Sequence, residues 1–165
     1  MKQKPLFQET QRFTQWWIWL IHILILIIFF TGIYIQIIKG EPFGDKPMSD
    51  LGLVISSGFM LFLVLLFLSL NLKTQVTSTK IYFKFFPFHL KYRAYLISDI
   101  QEMKVVKYSP ISEYGGWGIR GFGNNKAFNV KGNMGLRILF KDGTKRLIGT
   151  QKSEELEKTI KELGF

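Results

Sequence analysis

Residues 16–38 read WWIWLIHILILIIFFTGIYIQII and residues 51–70 read LGLVISSGFMLFLVLLFLSL, two apolar runs without a formal charge. A helix needs about 20 apolar residues to cross a hydrocarbon layer of ~30 Å, and each run reaches that length. The stretch between them, residues 39–50, contains Pro42, Pro47 and several charged side chains, which favour a loop. The pattern predicts a transmembrane hairpin over residues 16–70, with helices 16–38 and 51–70.

The charges around the two runs predict an orientation. Basic side chains flank the outer ends of the runs, namely Lys2, Lys4, Arg12, Lys73, Lys80 and Lys84, whereas the two lysines of the loop are opposed by three acidic residues. The positive-inside bias then places residues 1–15 and both termini in the cytoplasm and residues 39–50 outside. The first run is too long for a signal peptide and no A-x-A-like site follows it, so we expect a retained anchor in the cytoplasmic membrane.

Small and polar residues within the runs suggest how the helices pack. An antiparallel hairpin places Gly32 and Ser57 at similar depth, so Thr31 and Gly32 are expected to face Ser56, Ser57 and Gly58, with hydroxyl groups bonding across the seam. Ser49 and Asp50 are expected to cap the second helix. His22 is the ionisable group of the first run. A proton relay is one interpretation of it, and a structural role is the one we favour.

The remaining part of the chain, residues 71–165, is long enough for one small domain and is strongly basic. The net charge of +10 divides into +2 for residues 1–15, −1 for residues 39–50 and +9 for residues 73–165. A basic domain beside a bilayer favours anionic lipid headgroups as a partner over nucleic acid, although general solubility also explains such charge. The chain has no cysteine, which excludes disulfides and thiolate metal sites.

Short alternating segments after Asn71 predict antiparallel strands. They cover residues 73–80, 81–86, 91–97, 100–108, 126–131, 135–141 and 145–149, with a turn at Asp142-Gly143, and the glycine-rich residues 111–125 are expected to be loops. A final helix is expected, capped by Ser153, with Leu156, Ile160 and Leu163 on one face and Gly164 at its end. The predicted domain is a small barrel or bent sandwich of six or seven antiparallel strands, covered by the C-terminal α-helix.

Several stretches carry a resemblance to a known family. They are residues 77–88 (TSTKIYFKFFPF), 97–100 (ISDI), 114–120 (YGGWGIR), 132–151 and 154–156 (EEL), placed after a two-helix hairpin. In these features the chain resembles the bacterial pleckstrin-homology-like membrane proteins. The resemblance implies a seven-stranded, helix-capped barrel at a membrane, and it implies no active site.

Two groups of residues are candidates for contact with a lipid or a partner protein. The first alternates basic and aromatic side chains and contains Lys80, Lys84, Lys91 and Arg93. The second is the YGGWGIR segment. In one interpretation Trp117 enters an interface and Arg120 binds a phosphate or carboxylate, and in the other Trp117 fills the core while Arg120 pairs with Glu113 or Asp99.

Motifs of catalysis are missing from the sequence. No H-E-x-x-H pattern, nucleophile elbow or Walker sequence occurs, and the G-x-G-x-x-G at Gly116, Gly118 and Gly121 lacks the following helix that dinucleotide binding requires. We therefore expect a protein that is not an enzyme and needs no cofactor. It would be an adaptor or binding module for lipid, peptide, a protein partner or a second copy of itself. The alternative is a membrane-defence or stress protein acting through the hairpin, for instance in immunity to membrane-active peptides.

Overall fold

A computed structural model describes residues 4–165, so Lys2 lies outside the described residues. The chain divides into two units. One is Thr14–Ser69, and the other joins the residues up to Phe13 to Leu70–Phe165. We call them the helical unit and the β unit and describe each by itself.

The helical unit contains two long apolar helices. The first is α1 (Trp16–Gly32), continued by a π-helical segment (Ile33–Ile38), and the second is α2 (Asp50–Ser69). Both are long and apolar enough to cross a membrane. Ser49 Oγ accepts a hydrogen bond from Gly52 N at 3.2 Å, which confirms Ser49 as the cap, whereas Asp50, also expected there, is the first residue of the helix. The side chain of Gln36 donates to Met48 O at 2.8 Å and to Asp50 Oδ1 at 2.7 Å, so it ties the end of the first helix to the start of the second.

The small residues of the helical unit are arranged differently from the expected seam. Gly32 and Ser57 are buried, whereas Thr31 and Gly58 are exposed and Ser56 is half-buried. A Cβ added at Gly32 would meet Phe43 and Leu53 at 2.9 and 3.3 Å, so glycine is needed there for close packing. The hydroxyl of Ser57 donates to Leu53 O at 2.7 Å, within its own helix and not across the pair, because the carbonyl one turn back is the nearest acceptor.

His22 lies within α1 and is satisfied locally. Its Nδ1 donates to Ile18 O at 2.7 Å, and its ring packs on Phe67 with 4.8 Å between centroids. These contacts support the structural role that the sequence favours for His22 over a proton relay.

The β unit begins before the helices, because residues that sequence reasoning treated as a plain polar segment form strand β1 (Phe7–Arg12). This strand pairs antiparallel with β2 (Asn71–Val76), with Phe7 opposite Val76 and Arg12 opposite Asn71. The helical unit is therefore inserted, in chain order, between two neighbouring strands of one sheet.

The first sheet has the order β1-β2-β3-β4, in which β3 is Lys80–Phe86 and β4 is Arg93–Leu96, and we call it sheet A. The second, sheet B, has the order β5-β8-β9-β7-β6. Its strands are β5 (Ile100–Lys107), β6 (Gly118–Phe122), β7 (Asn125–Asn129), β8 (Met134–Phe140) and β9 (Lys145–Gly149). The short helix α3 (Pro110–Tyr114) connects β5 to β6.

This architecture corrects parts of the sequence prediction. The described residues form nine strands, where six or seven were expected, because β1 and β6 were not recognised. The strands form two separate hydrogen-bonded sheets and no closed barrel. One pair, β7 with β9, is parallel. The expected turn at Asp142-Gly143 is present, and Asp142 Oδ1 accepts a hydrogen bond from Thr144 N at 2.8 Å.

The core lies between the sheets and beneath the last helix. Phe83 of sheet A packs on Phe128 of sheet B, with 4.7 Å between ring centroids, and both are buried. Helix α4 (Ser153–Glu162) contacts β1, β5 and β8 and buries Leu156 and Ile160. Ser153 is the first residue of this helix and not its cap, a correction to the prediction, and Gly164 follows its end with φ +88°.

Polar side chains of β1 also hold the β unit together. Glu9 is buried, and its carboxylate oxygens accept hydrogen bonds from Thr150 Oγ1 and Gln151 N, both at 2.7 Å. Gln11 donates to Gly149 O at 2.6 Å. The strand that precedes the helices is thus fixed to the chain immediately before α4, and it belongs to the β unit as fully as any later strand.

Candidate functional site

A basic surface lies on the outer face of sheet A. Residues directly opposite each other in neighbouring strands share a face, and the register aligns Thr10, Lys73 and Lys84 in one row. The next row towards the ends of β1 and β3 aligns Arg12, Asn71 and Phe86. The alternate residues Leu72, Thr74, Phe83 and Phe85 point inward and are buried. We call the outward cations Arg12, Lys73, Lys80 and Lys84 the basic face.

The basic face places like charges side by side. Lys73 and Lys84 are direct partners across strands β2 and β3. Like charges in this position repel each other and destabilise a sheet. Among the residues of β1 to β4, the acidic side chain is that of Glu9, which points into the core. Lys84 Nζ lies 5.4 Å from the centre of the Phe86 ring. An anionic ligand outside the sheet would relieve the repulsion.

The loop between β3 and β4, residues 87–92, exposes apolar side chains beside basic ones. Phe88 is 63% exposed and Leu90 is 73% exposed, and Tyr92 is also exposed. Lys91 lies in the same loop and is exposed. Solvent-facing apolar side chains grouped in one short loop, with a cation among them, are typical of surfaces that contact a partner or a membrane.

His89 holds this loop to the core. Its Nδ1 accepts a hydrogen bond from Phe85 N at 3.3 Å, its backbone N donates to Phe85 O at 2.7 Å, and its ring packs against Phe83 and Phe128. Burial, together with the nearby charge of Arg93, lowers the pKa of His89 below its usual value of 6.5. The neutral imidazole is therefore the form that fixes the loop, with its neighbours Phe88 and Leu90 turned outward.

The four basic residues predicted near this surface occupy different positions. Lys80 and Lys84 lie on the basic face, and Lys91 lies in the β3–β4 loop. Arg93 pairs with Phe83, so its side chain starts from the opposite face of sheet A, at the edge strand, where it is exposed. Arg12 and Lys73 complete the basic face and were not proposed as site residues from the sequence. The signal that could have found them is the alternation of these cations with buried residues along β1 and β2. That alternation is recognised only when β1 is known to be a strand that pairs with β2.

Arg120 lies in β6 of sheet B, Trp117 immediately precedes that strand, and both side chains take part in local structure. Trp117 Nε1 donates to Gly132 O at 3.1 Å, and Arg120 Nε donates to Trp117 O at 2.9 Å. Glu113, one expected partner of Arg120, instead forms an ion pair with Arg137 at 3.2 Å. The acceptor that Arg120 reaches is a backbone oxygen three residues away, because the turn folds its side chain back over Gly116.

The chemistry available at the basic face is binding by charge. Lysine and arginine side chains on a sheet face offer hydrogen-bond donors to phosphate or carboxylate groups. In the part of the chain that the structure describes, no group of three or more histidine, cysteine, aspartate or glutamate side chains is placed to hold a metal ion.

A comparison with protein-family models found none that matches this chain, and a search of curated proteins found no match either.

Proposed function

We propose that this chain is an integral membrane protein with two spanning helices and a non-enzymatic β unit. In this proposal the basic face binds anionic lipid headgroups at the cytoplasmic surface of the cytoplasmic membrane. The direct pairing of Lys73 with Lys84, without a neighbouring acidic side chain on that face among the described residues, is the observation that carries it. Each basic residue near an anionic membrane surface contributes about 1 kcal/mol to binding.

The pairing of β1 with β2 supports a common compartment for both ends of the helical unit. Two hydrogen-bonded strands must lie on the same side of a membrane, and the helices lie between them in the chain. The chain therefore crosses an even number of times between Arg12 and Asn71, as two spanning helices do. The excess of lysine and arginine on these flanks favours the cytoplasm as that compartment.

The two packed sheets and the C-terminal helix also support kinship with the pleckstrin-homology-like membrane proteins that the sequence resembles. We propose this kinship for the fold only. It adds the expectation of a binding module, and the ligand is argued from the charges of sheet A.

The test compares two variants of equal net charge in the full chain, reconstituted in nanodiscs. One carries Arg12→Gln, Lys73→Gln, Lys80→Gln and Lys84→Gln. The control carries glutamine at four exposed lysines outside sheet A, namely Lys107, Lys141, Lys145 and Lys158. A fluorophore on Gln75→Cys, on the outer face of β2, reports contact with headgroup-labelled lipid, and the cysteine is unique because the chain has no other.

We expect contact to rise when phosphatidylglycerol replaces half of the phosphatidylcholine. The rise should be lost in the first variant and kept in the control, since at about 1 kcal/mol per charge four charges decide the docked population. An equal loss in both variants would show that total charge alone matters and would reject the basic face as the site.

A further inference from the structure

The apolar residues of the β3–β4 loop have no role in binding by charge. Phe88 and Leu90 are both more than half exposed and stand two residues apart in one short loop, whereas Ile111 and Phe122, which are also more than half exposed, lie in other elements of the β unit. The loop is also well anchored, because His89 between Phe88 and Leu90 is buried and bonded to Phe85. An apolar side chain held outward by a fixed neighbour is a defined surface feature and not a frayed segment.

The position of the loop in sheet A indicates what covers it. Strand β3 ends at Phe86, in the same register row as Arg12 and Asn71. Arg12 stands four residues before α1, and Asn71 stands two residues after α2. The loop thus starts from the end of the sheet at which the chain leaves for and returns from the apolar helices.

We propose that the β3–β4 loop inserts Phe88 and Leu90 below the lipid headgroups of the bilayer that holds the helices. Aromatic and leucine side chains favour the boundary between headgroups and acyl chains, and cations beside them stay at headgroup level. Lys91, between Leu90 and Tyr92, provides such a cation. The inference rests on the proposed membrane location. It differs from the proposed function in its driving force, which is apolar burial and not charge.

The experiment places an environment-sensitive fluorophore on Leu90→Cys in the full chain, reconstituted in nanodiscs of phosphatidylcholine alone and of equal parts phosphatidylcholine and phosphatidylglycerol. Quenching by lipids with spin labels on the acyl chain measures insertion, and quenching by iodide measures exposure to water. The matched control carries the same fluorophore on Phe122→Cys, a residue of sheet B that is 95% exposed, so any tendency of the dye itself to insert is shared.

We expect the Leu90 probe to be quenched several-fold more by acyl-chain labels than the Phe122 probe, in both lipids, and to be shielded from iodide. Adding Phe88→Ser should lower the ratio of inserted to non-inserted Leu90 probe roughly tenfold, because one large apolar side chain is withdrawn from the membrane. Equal quenching at Leu90 and Phe122 would overturn the proposal, and so would full access of iodide to Leu90.

The two proposals fail separately. A Leu90 probe in water, together with a Gln75 probe that still responds to phosphatidylglycerol, overturns the insertion and leaves the basic face intact. An inserted Leu90 probe in neutral lipid, with a Gln75 probe that ignores phosphatidylglycerol, supports the insertion and rejects binding of anionic headgroups by the basic face.

Discussion

The helical unit and the β unit place the same kinds of side chain in opposite positions. In the β unit Phe83, Ile81 and Leu147 are fully buried between the sheets. In the helical unit most large apolar side chains point outward, and Leu51, Ile38 and Phe59 are each at least 60% exposed. Gly32 and Ser57 are among the buried residues there. A core helix of a soluble protein would bury its leucines, so the contrast supports the proposal that the two units are built for different solvents.

The largest expected effect comes from making the same change, phenylalanine to alanine, once in each unit. Phe83→Ala removes a fully buried ring that contacts Phe128 and Tyr95, and we expect it to cost about 3–5 kcal/mol of the free energy of unfolding. Phe62→Ala, in α2, removes a ring that is 55% exposed and should cost well under half as much. Urea titration with pulse proteolysis of the micelle-bound chain measures both. Equal losses would mean that the two units share one kind of core.

A smaller effect distinguishes a hydrocarbon environment of α1 from an aqueous one. Ile27 of α1 and Phe122 of β6 are both exposed, so in water a change to arginine would be nearly neutral at either site. If α1 lies in hydrocarbon, Ile27→Arg raises the free energy of insertion by about 3 kcal/mol, whereas Phe122→Arg leaves it unchanged. An insertion assay of the full chain with microsomes compares the two. Insertion that does not respond to Ile27→Arg would contradict a spanning α1.

The smallest expected effect concerns the β unit alone and depends on pH. The pKa of His89 is lowered in the folded state, so below about pH 6.5 the unfolded chain binds more protons, and stability must fall as the pH falls towards the folded pKa. The loss should be up to about 1.4 kcal/mol per pH unit in that window. Urea titrations at pH 7.5 and 5.5, read by circular dichroism, should show a smaller difference for His89→Asn. The same difference in the variant would assign the pH dependence to other groups.

The helical unit could be predicted closely from the sequence. Long uncharged runs have few alternatives to helix, so the predicted bounds 16–38 and 51–70 lie within one residue of the observed helices. The detail of its packing could not be predicted, because it depends on the loop. Phe43, which contacts Gly32, follows Pro42 in a stretch for which hydrophobic periodicity gives no signal.

The β unit was harder to predict where buried residues are polar or small. Strand β1 buries the polar side chains of Glu9 and Gln11, so its alternation of buried and exposed residues does not show as an alternation of apolar and polar ones. The reason for their burial is seen only in the structure, where Thr150, Gln151 and Gly149 are their hydrogen-bond partners. Strand β6 contains Gly118 and Gly121, residues that usually indicate loops. At Gly121 a Cβ would collide with the Asn125 backbone, so glycine is what allows this strand to pair.

The sequence predicts which kinds of residue form the candidate site, but it does not predict which of them share one surface. Lys80 and Lys84 were proposed from their alternation with aromatic residues, and the structure places both on one face. Arg93, nine residues after Lys84, starts from the other face. Which cations act together depends on the pairing of β1, β2 and β3, and that pairing brings Arg12 beside residues 59 and more positions away.

The pairing of Arg12 with Asn71 also has a consequence for synthesis of the chain. At about 5–20 residues per second, a ribosome takes several seconds to pass from Arg12 to Asn71, and more than twice that time in total to pass from Arg12 to Thr150 and Gln151, the partners of Glu9. Strand β1 must wait through that interval without its neighbours. Its polar composition, FQETQR, lets it wait in water without attracting other chains, which a more apolar first strand would not.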